Sequence, residues 1–306
     1  MLKKILFIIG FIILFLAVYF FFMKPKKINL TTVKKSYSNV SLFEENDSYN
    51  IQIYINQKNS YITDKDKISS IYISDKEEDN QIKMDLLNLI YVGKSKIDEK
   101  TYYIYNYNIK PLLINHDDIE IDNAYLIINY HNFKNVKIHI GSFSSYKVEN
   151  FNKSDLGISR LKGIVNTINN KKTLVGLALE LNNESSKNID IIGIRFFDPN
   201  IKVGDYKLSD FSMILSNSNL SDHLGYQYNI NNTFNNEIDF KLNEKDTLLI
   251  SLMYENHYKI ADLGFQIIYK IDQEEFVYNY DKFHFFTDYE NIVFIDELTF
   301  YTYEHD

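Results

Sequence analysis

An unbroken apolar run opens at Ile5 and closes at Met23, between Met1-Leu2-Lys3-Lys4 and Lys24-Pro25-Lys26-Lys27, and it constrains this chain more than any other feature. Its 19 residues would span roughly 29 Å as a helix at about 1.5 Å per residue, close to the ~30 Å hydrocarbon core of a bilayer. No face of such a helix is polar, so burial against a soluble core is disfavoured. The run ends in Tyr19-Phe20-Phe21-Phe22-Met23, without the small residues of a cleavage site. The expectation is a retained signal-anchor: residues 1–27 form a single transmembrane helix with basic flanks.

Orientation is a balance of two signals. Lys3, Lys4 and the amino terminus flank one side, while Lys24, Lys26, Lys27, Lys34 and Lys35 flank the other, so a count of positive charges does not favour export. Against that, the four-residue tail with its compact basic cluster has the look of a signal n-region. The expected location is a cell membrane crossed once, with the C-terminal domains extracytoplasmic.

After a polar tether at 28–36, the pattern changes to period-two alternation, which puts one side of a strand into a core. Ile51, Ile53 and Ile55 alternate with Gln52, Tyr54 and Asn56. Tyr103, Tyr105, Tyr107 and Ile109 oppose Asn106 and Asn108, and Val136, Ile138 and Ile140 alternate with Lys137 and His139. Further on, Leu263, Phe265, Ile267, Tyr269 and Ile271 share a face, and Asp272-Gln273 is placed to turn the chain into a second strand over 276–280. Segments 83–91 and 209–216 are too short for periodicity to separate helix from strand. With no strand-helix-strand succession, the fold class is all-β and mainly antiparallel, as two immunoglobulin-like β-sandwich modules after the N-terminal helix. A polar break at 150–157 divides them: residues 37–150 form a first β-rich domain and 151–306 a second.

Two local patterns support repetition. Residues 122–136 align without a gap on 246–260, matching Asp122 with Asp246, Tyr130 with Tyr254 and Asn132 with Asn256. Residues 174–197, two apolar strands joined by the polar segment 183–188, resemble the strand-turn-strand of many extracytoplasmic immunoglobulin-like modules.

The chemistry-bearing residues are sparse. The 25 Tyr and 22 Phe accompany abundant Ile, Asn and Lys, which AT-rich codons account for, and they suit strands. The chain has no cysteine, which excludes disulfides, thiolate catalysis and a lipid-modified cysteine. Net charge is −8 with no basic stripe, so nucleic acid is not an expected partner. Gly157-Ile158-Ser159 falls short of a nucleophile elbow, and nucleotide loops and zinc-protease motifs are absent. On a strand, Asp118, Glu120 and Asp122 would project from one face opposite Ile119 and Ile121, within reach of a hard cation such as Ca²⁺; a solvated outer face is the plainer reading. His131 and His139 would have to meet across strands to bind a metal. Asp64/Asp66, Glu274/Glu275 and Asp288/Glu290 are carboxylate pairs a glycosidase could use. Arg195, one of only two arginines with Arg160, either faces water or pairs with a buried carboxylate.

No catalytic, cofactor or metal residue is assigned, and no cofactor is expected. The expected function is a non-catalytic, membrane-anchored binding or interaction module of a bacterial cell envelope, contacting a protein partner through sandwich loops or sheet edges. The alternatives are a cell-wall glycan-binding module that uses exposed tyrosines and, behind it, an envelope hydrolase built from scattered carboxylates.

Overall fold

The computed structural model describes residues 27–42, 48–112, 118–148, 155–168, 171–198, 200–209, 238–254, 259–285 and 298–304. The apolar run 5–23, segment 210–216, the break at 150–154 and Asp288/Glu290 lie outside these residues. Among the described residues no helix is long and apolar enough to cross a membrane, and the only helices are two single 3-10 turns, Tyr61–Thr63 and Lys65–Lys67.

Eight strands form the first half: β1 (Lys27–Val33), β2 (Lys35–Leu42), β3 (Tyr49–Ile55), β4 (Ile68–Ser74), β5 (Gln81–Ile97), β6 (Lys100–Pro111), β7 (Ile119–Tyr130) and β8 (Val136–Val148). The second half supplies β9 (Leu156–Ile168), β10 (Lys171–Asn183), β11 (Ile189–Phe196), β12 (Ile201–Ser209), β13 (Phe240–Leu242), β14 (Lys245–Tyr254), β15 (Lys259–Ile271), β16 (Glu274–His284) and β17 (Leu298–Glu304). A 13-stranded sheet runs β13-β11-β15-β2-β8-β7-β4-β5-β6-β3-β1-β17 with β16 beside β15, and a 4-stranded sheet runs β12-β14-β10-β9. Every pairing is antiparallel except those of β2 with β15 and with β8. The described chain is all-β and antiparallel-rich.

The first core forms where the long sheet folds over on itself. Ile51, Ile53 and Ile55 of β3 and Tyr107 and Ile109 of β6 pack with Leu126 and Ile128 of β7 and Val136, Ile138 and Ile140 of β8. Burying each such Ile or Leu stabilises by about 1.5–3 kcal/mol. The second core lies between the two sheets: Leu177, Leu179 and Leu181 of β10 and Leu248, Ile250 and Leu252 of β14 face Leu263, Phe265, Ile267 and Tyr269 of β15. Asp272 (φ 49°) and Gln273 (φ 73°) make the tight β15–β16 turn, the left-handed pair of residues that a two-residue hairpin requires.

Two sequence expectations need correction, and one segment left open between helix and strand is resolved. Residues 28–36 are not a tether: they are β1 and the start of β2, with Ile28 and Leu30 fully buried in the first core. β1 is stabilised by β17, which returns from the far end of the chain and pairs Lys27 with Glu304. Tyr301 and Tyr303 of β17 pack on the first core, although they follow the break at 150. Segment 83–91 is strand, the middle of β5. Finally, β3 and β6 bury both faces, since Tyr54, Tyr102 and Ile104 join Val33 and Ile97 in a small cluster on the outer side of the sheet.

Candidate functional site

Glu120 and Arg195, both marked by sequence, line one cleft of about 360 Å³ at the junction of the two halves, with Tyr146, Asp198 and Lys202 among the other lining residues. Glu120 is set there by β7, whose alternation buries Ile121 and exposes Glu120 and Asp122; Asp118, just before the strand, is exposed as well. The Tyr146 hydroxyl donates to Glu120 Oε2 at 3.0 Å, and its ring lies against Phe197 with centroids 4.6 Å apart. Burial, then the hydrogen bond and the charges of Glu120 and Asp118, push the Tyr146 phenol up; the Arg195 charge offsets part of this. Arg195 is exposed, as its strand position opposite the core implies. At the cleft floor Asp198 is buried; its Oδ2 accepts from the Ser36 hydroxyl and its Oδ1 from the Asn200 amide at 2.9 Å. The cleft therefore sets two cations, Arg195 and Lys202, beside two carboxylates, Glu120 and the buried Asp198.

The acidic strand does not form a cation cage: among the described residues no group of three or more His, Cys, Asp or Glu side chains is placed to hold a metal ion. Asp118 accepts from the Lys147 amide at 3.0 Å, while Glu120 and Asp122 line an open acidic groove with Asp75 and Glu77. The histidines stay separate. His131 sits in the β7–β8 turn, whereas His139 pairs with Tyr125 and stacks on its ring at 4.9 Å. Burial and the Lys34 charge pull the His139 imidazole down, and its hydrogen bond with the Gly141 backbone opposes them. His284 Nδ1 pairs with buried Asp262. Asp64 accepts from the Asp66 amide at 3.1 Å, a turn-capping role, and Glu274 and Glu275 are exposed beside a hairpin. Ser159 donates to Glu180 Oε1 at 2.6 Å, and the same oxygen takes Lys245 Nζ at 2.6 Å and Arg160 Nε at 3.5 Å. Burial opposes ionisation of Glu180. The hydrogen bonds from Lys245 and Ser159 and the charges of Lys245 and Arg160 outweigh it and hold the carboxyl below its ordinary range. Ser159 is thus one of three donors on the Glu180 carboxylate.

The feature sequence reasoning missed is an open strand edge. β4 pairs with β5 only over 81–84, whereas β6 pairs with it over 84–97, so among the described residues most of β5 has one neighbouring strand. Register shifts between Leu86 and Asn88 and between Tyr91 and Gly93 make Leu87 and Val92 bulge residues. Leu87 is 45% exposed, Ile90 49%, Tyr91 42% and Val92 53%, a concentration of apolar surface that edge strands ordinarily avoid. Lys65 Nζ reaches the Leu87 carbonyl at 3.3 Å and Lys58 lies over the Tyr91 ring at 5.2 Å. The available signal was the composition of 86–92, Leu-Leu-Asn-Leu-Ile-Tyr-Val: too apolar for a strand with a single buried face.

No protein-family model matches the sequence, and no curated protein matches it. Among solved structures, a protein of unknown function from Porphyromonas gingivalis W83 aligns at 9% identity over 82% of this chain and 97% of its own, with a TM-score of 0.20. The D00-D0 domain of intimin aligns at 9% identity over 85% of this chain and 100% of its own, at 0.19. The C-terminal domain of the Streptococcus agalactiae AgI/II polypeptide BspA does so at 10% identity over 83% and 99%, at 0.18. Likenesses this weak carry no argument, and the β architecture rests on the strand pairing itself.

Proposed function

We propose that this chain is a non-catalytic binding module of a bacterial cell envelope, built as two immunoglobulin-like β-sandwich units, anchored by the run 5–23 and displayed outside the cytoplasm, and that the open β5 edge receives an extended segment of an envelope protein. The carrying observation is that edge. A strand edge that no described strand pairs over 85–97, with exposed Leu87, Ile90, Tyr91 and Val92, matches the two requirements of strand addition: main-chain pairing for affinity and apolar side chains for register. The wall-glycan reading has less support, because Tyr91 is the only exposed tyrosine among the described residues.

The test is photo-crosslinking in living cells from Val92 and, as a control, from Glu275. A discrete adduct from position 92, absent from 275 and lost on Ile90→Lys, is expected; no adduct at 92, or the same adducts from both positions, refutes edge binding. Topology is checked by protease treatment of intact cells. Digestion of a C-terminal epitope fits the displayed orientation, and protection until lysis contradicts it.

A further inference from the structure

We infer that the end of the first sheet at which β1 begins rests on the phospholipid headgroups of the membrane holding the anchor, a placement that depends on the anchored reading above. Chain length carries it. The apolar run closes at Met23 and β1 starts at Lys27, and four extended residues reach only about 14 Å at ~3.3–3.6 Å each. Headgroups add roughly 5–8 Å to each side of the hydrocarbon, so β1 has almost no room to stand away from them.

Hydrogen bonds and register say what lies beside Lys27. The side-chain amides of Asn56 and Gln57 each donate to the Lys27 carbonyl at 3.2 Å, and Glu304 is opposite it on β17. Leu30 pairs with Ile55, Ile55 with Tyr103, and Lys100 with Ile97; the Asp98-Glu99 turn therefore closes the same end of the sheet. Exposed Lys27, Lys58, Lys96 and Lys100 gather there with exposed Asp98 and Glu99. Lysines suit headgroup phosphates, and the interspersed carboxylates suit headgroup ammonium groups. In a chain of net charge −8, this balanced end meets an acidic bilayer with little repulsion. The rest of the molecule leads away: β15 leaves β2 in parallel at Lys259 and runs 11 residues to Lys270, opposite Glu275, about 36 Å at ~3.3 Å per residue.

Because the chain has no cysteine, single-cysteine reporters are available. Full-length Lys100→Cys and Glu275→Cys proteins, each carrying one fluorophore, are reconstituted into phosphatidylcholine–phosphatidylglycerol vesicles containing a lipid with a nitroxide on its headgroup. The expected result is emission at least halved at position 100 and unchanged at 275. Equal quenching at both positions, or none at 100, in protein that floats with the vesicles overturns the placement and leaves the anchor standing. Protein that does not float overturns the anchor and the placement together.

Discussion

β8 and β5 face the same physical problem, a run of backbone groups with no strand alongside among the described residues, and they meet it differently. The first part of β8 has β7 on one side only; on the other, the Tyr303 hydroxyl accepts from the Lys137 amide and donates to the Lys137 carbonyl, both at 3.0 Å, and the Tyr301 hydroxyl accepts from the His139 amide at 3.0 Å. The second part is covered by β2, which pairs with it from Gly141 to Val148. Among the described residues β5 has no covering strand over 85–97, and it adds exposed apolar side chains. One edge is sealed with hydroxyls and a parallel strand; the other is left as a template. Edges of the second kind are liabilities unless something binds them.

The sealed edge is the easier one to break. Gly141 has φ 117°, and a Cβ there would lie 2.1 Å from the Lys35 carbonyl oxygen, so Gly141→Ala forces β2 and β8 apart. A loss of about 3 kcal/mol or more is expected by denaturant unfolding. Tyr303→Phe leaves two backbone groups of a half-buried edge unpaired and is expected to cost about 1–3 kcal/mol. Tyr301→Phe, which removes one bond, should cost about 1 kcal/mol; equal costs for the two would contradict the division of labour.

Acid gives a control that touches neither edge. The Glu180 carboxyl is held below its ordinary range, so its contribution is complete above the unfolded pKa of about 4.3 and is lost as pH falls through the lower folded value. Its partners Lys245 and Arg160 are half-exposed, which limits the effect to about 1 kcal/mol at neutral pH after screening. Glu180→Gln should show that loss at pH 7 and a flatter acid limb, with both variants converging at low pH. The smallest effect on stability is expected at the open edge: Ile90→Lys should stay within about 0.5 kcal/mol of the parent while abolishing the crosslink from position 92.

The contrast also marks what could be read in the sequence. Period two was sufficient for β3, β8 and the β15–β16 hairpin, because a half-buried strand prints its environment in its own residues. It was insufficient for β1, whose partner β17 comes from the other end of the chain, and for β5, where bulges break the alternation that identifies a strand. Tyr54 reads as an outer-face residue and is buried with Tyr102 and Ile104 in a second small cluster. Glu120 and Arg195 were visible one by one, but their meeting in a cleft depends on how β7 and β11 are placed by non-local pairing. Which edge stays open is a property of the whole sheet, and no local window contains it.

Residue-resolved amide hydrogen exchange on the free protein tests the contrast most directly. The Lys137 and His139 amides are expected to be protected to the level of the core strands, whereas the outward-facing amides of β5 between Asn88 and Lys96 exchange at rates close to those of exposed loops, alternating with protected ones bonded to β6. Uniform protection along β5, or fast exchange at Lys137 and His139, would contradict the account.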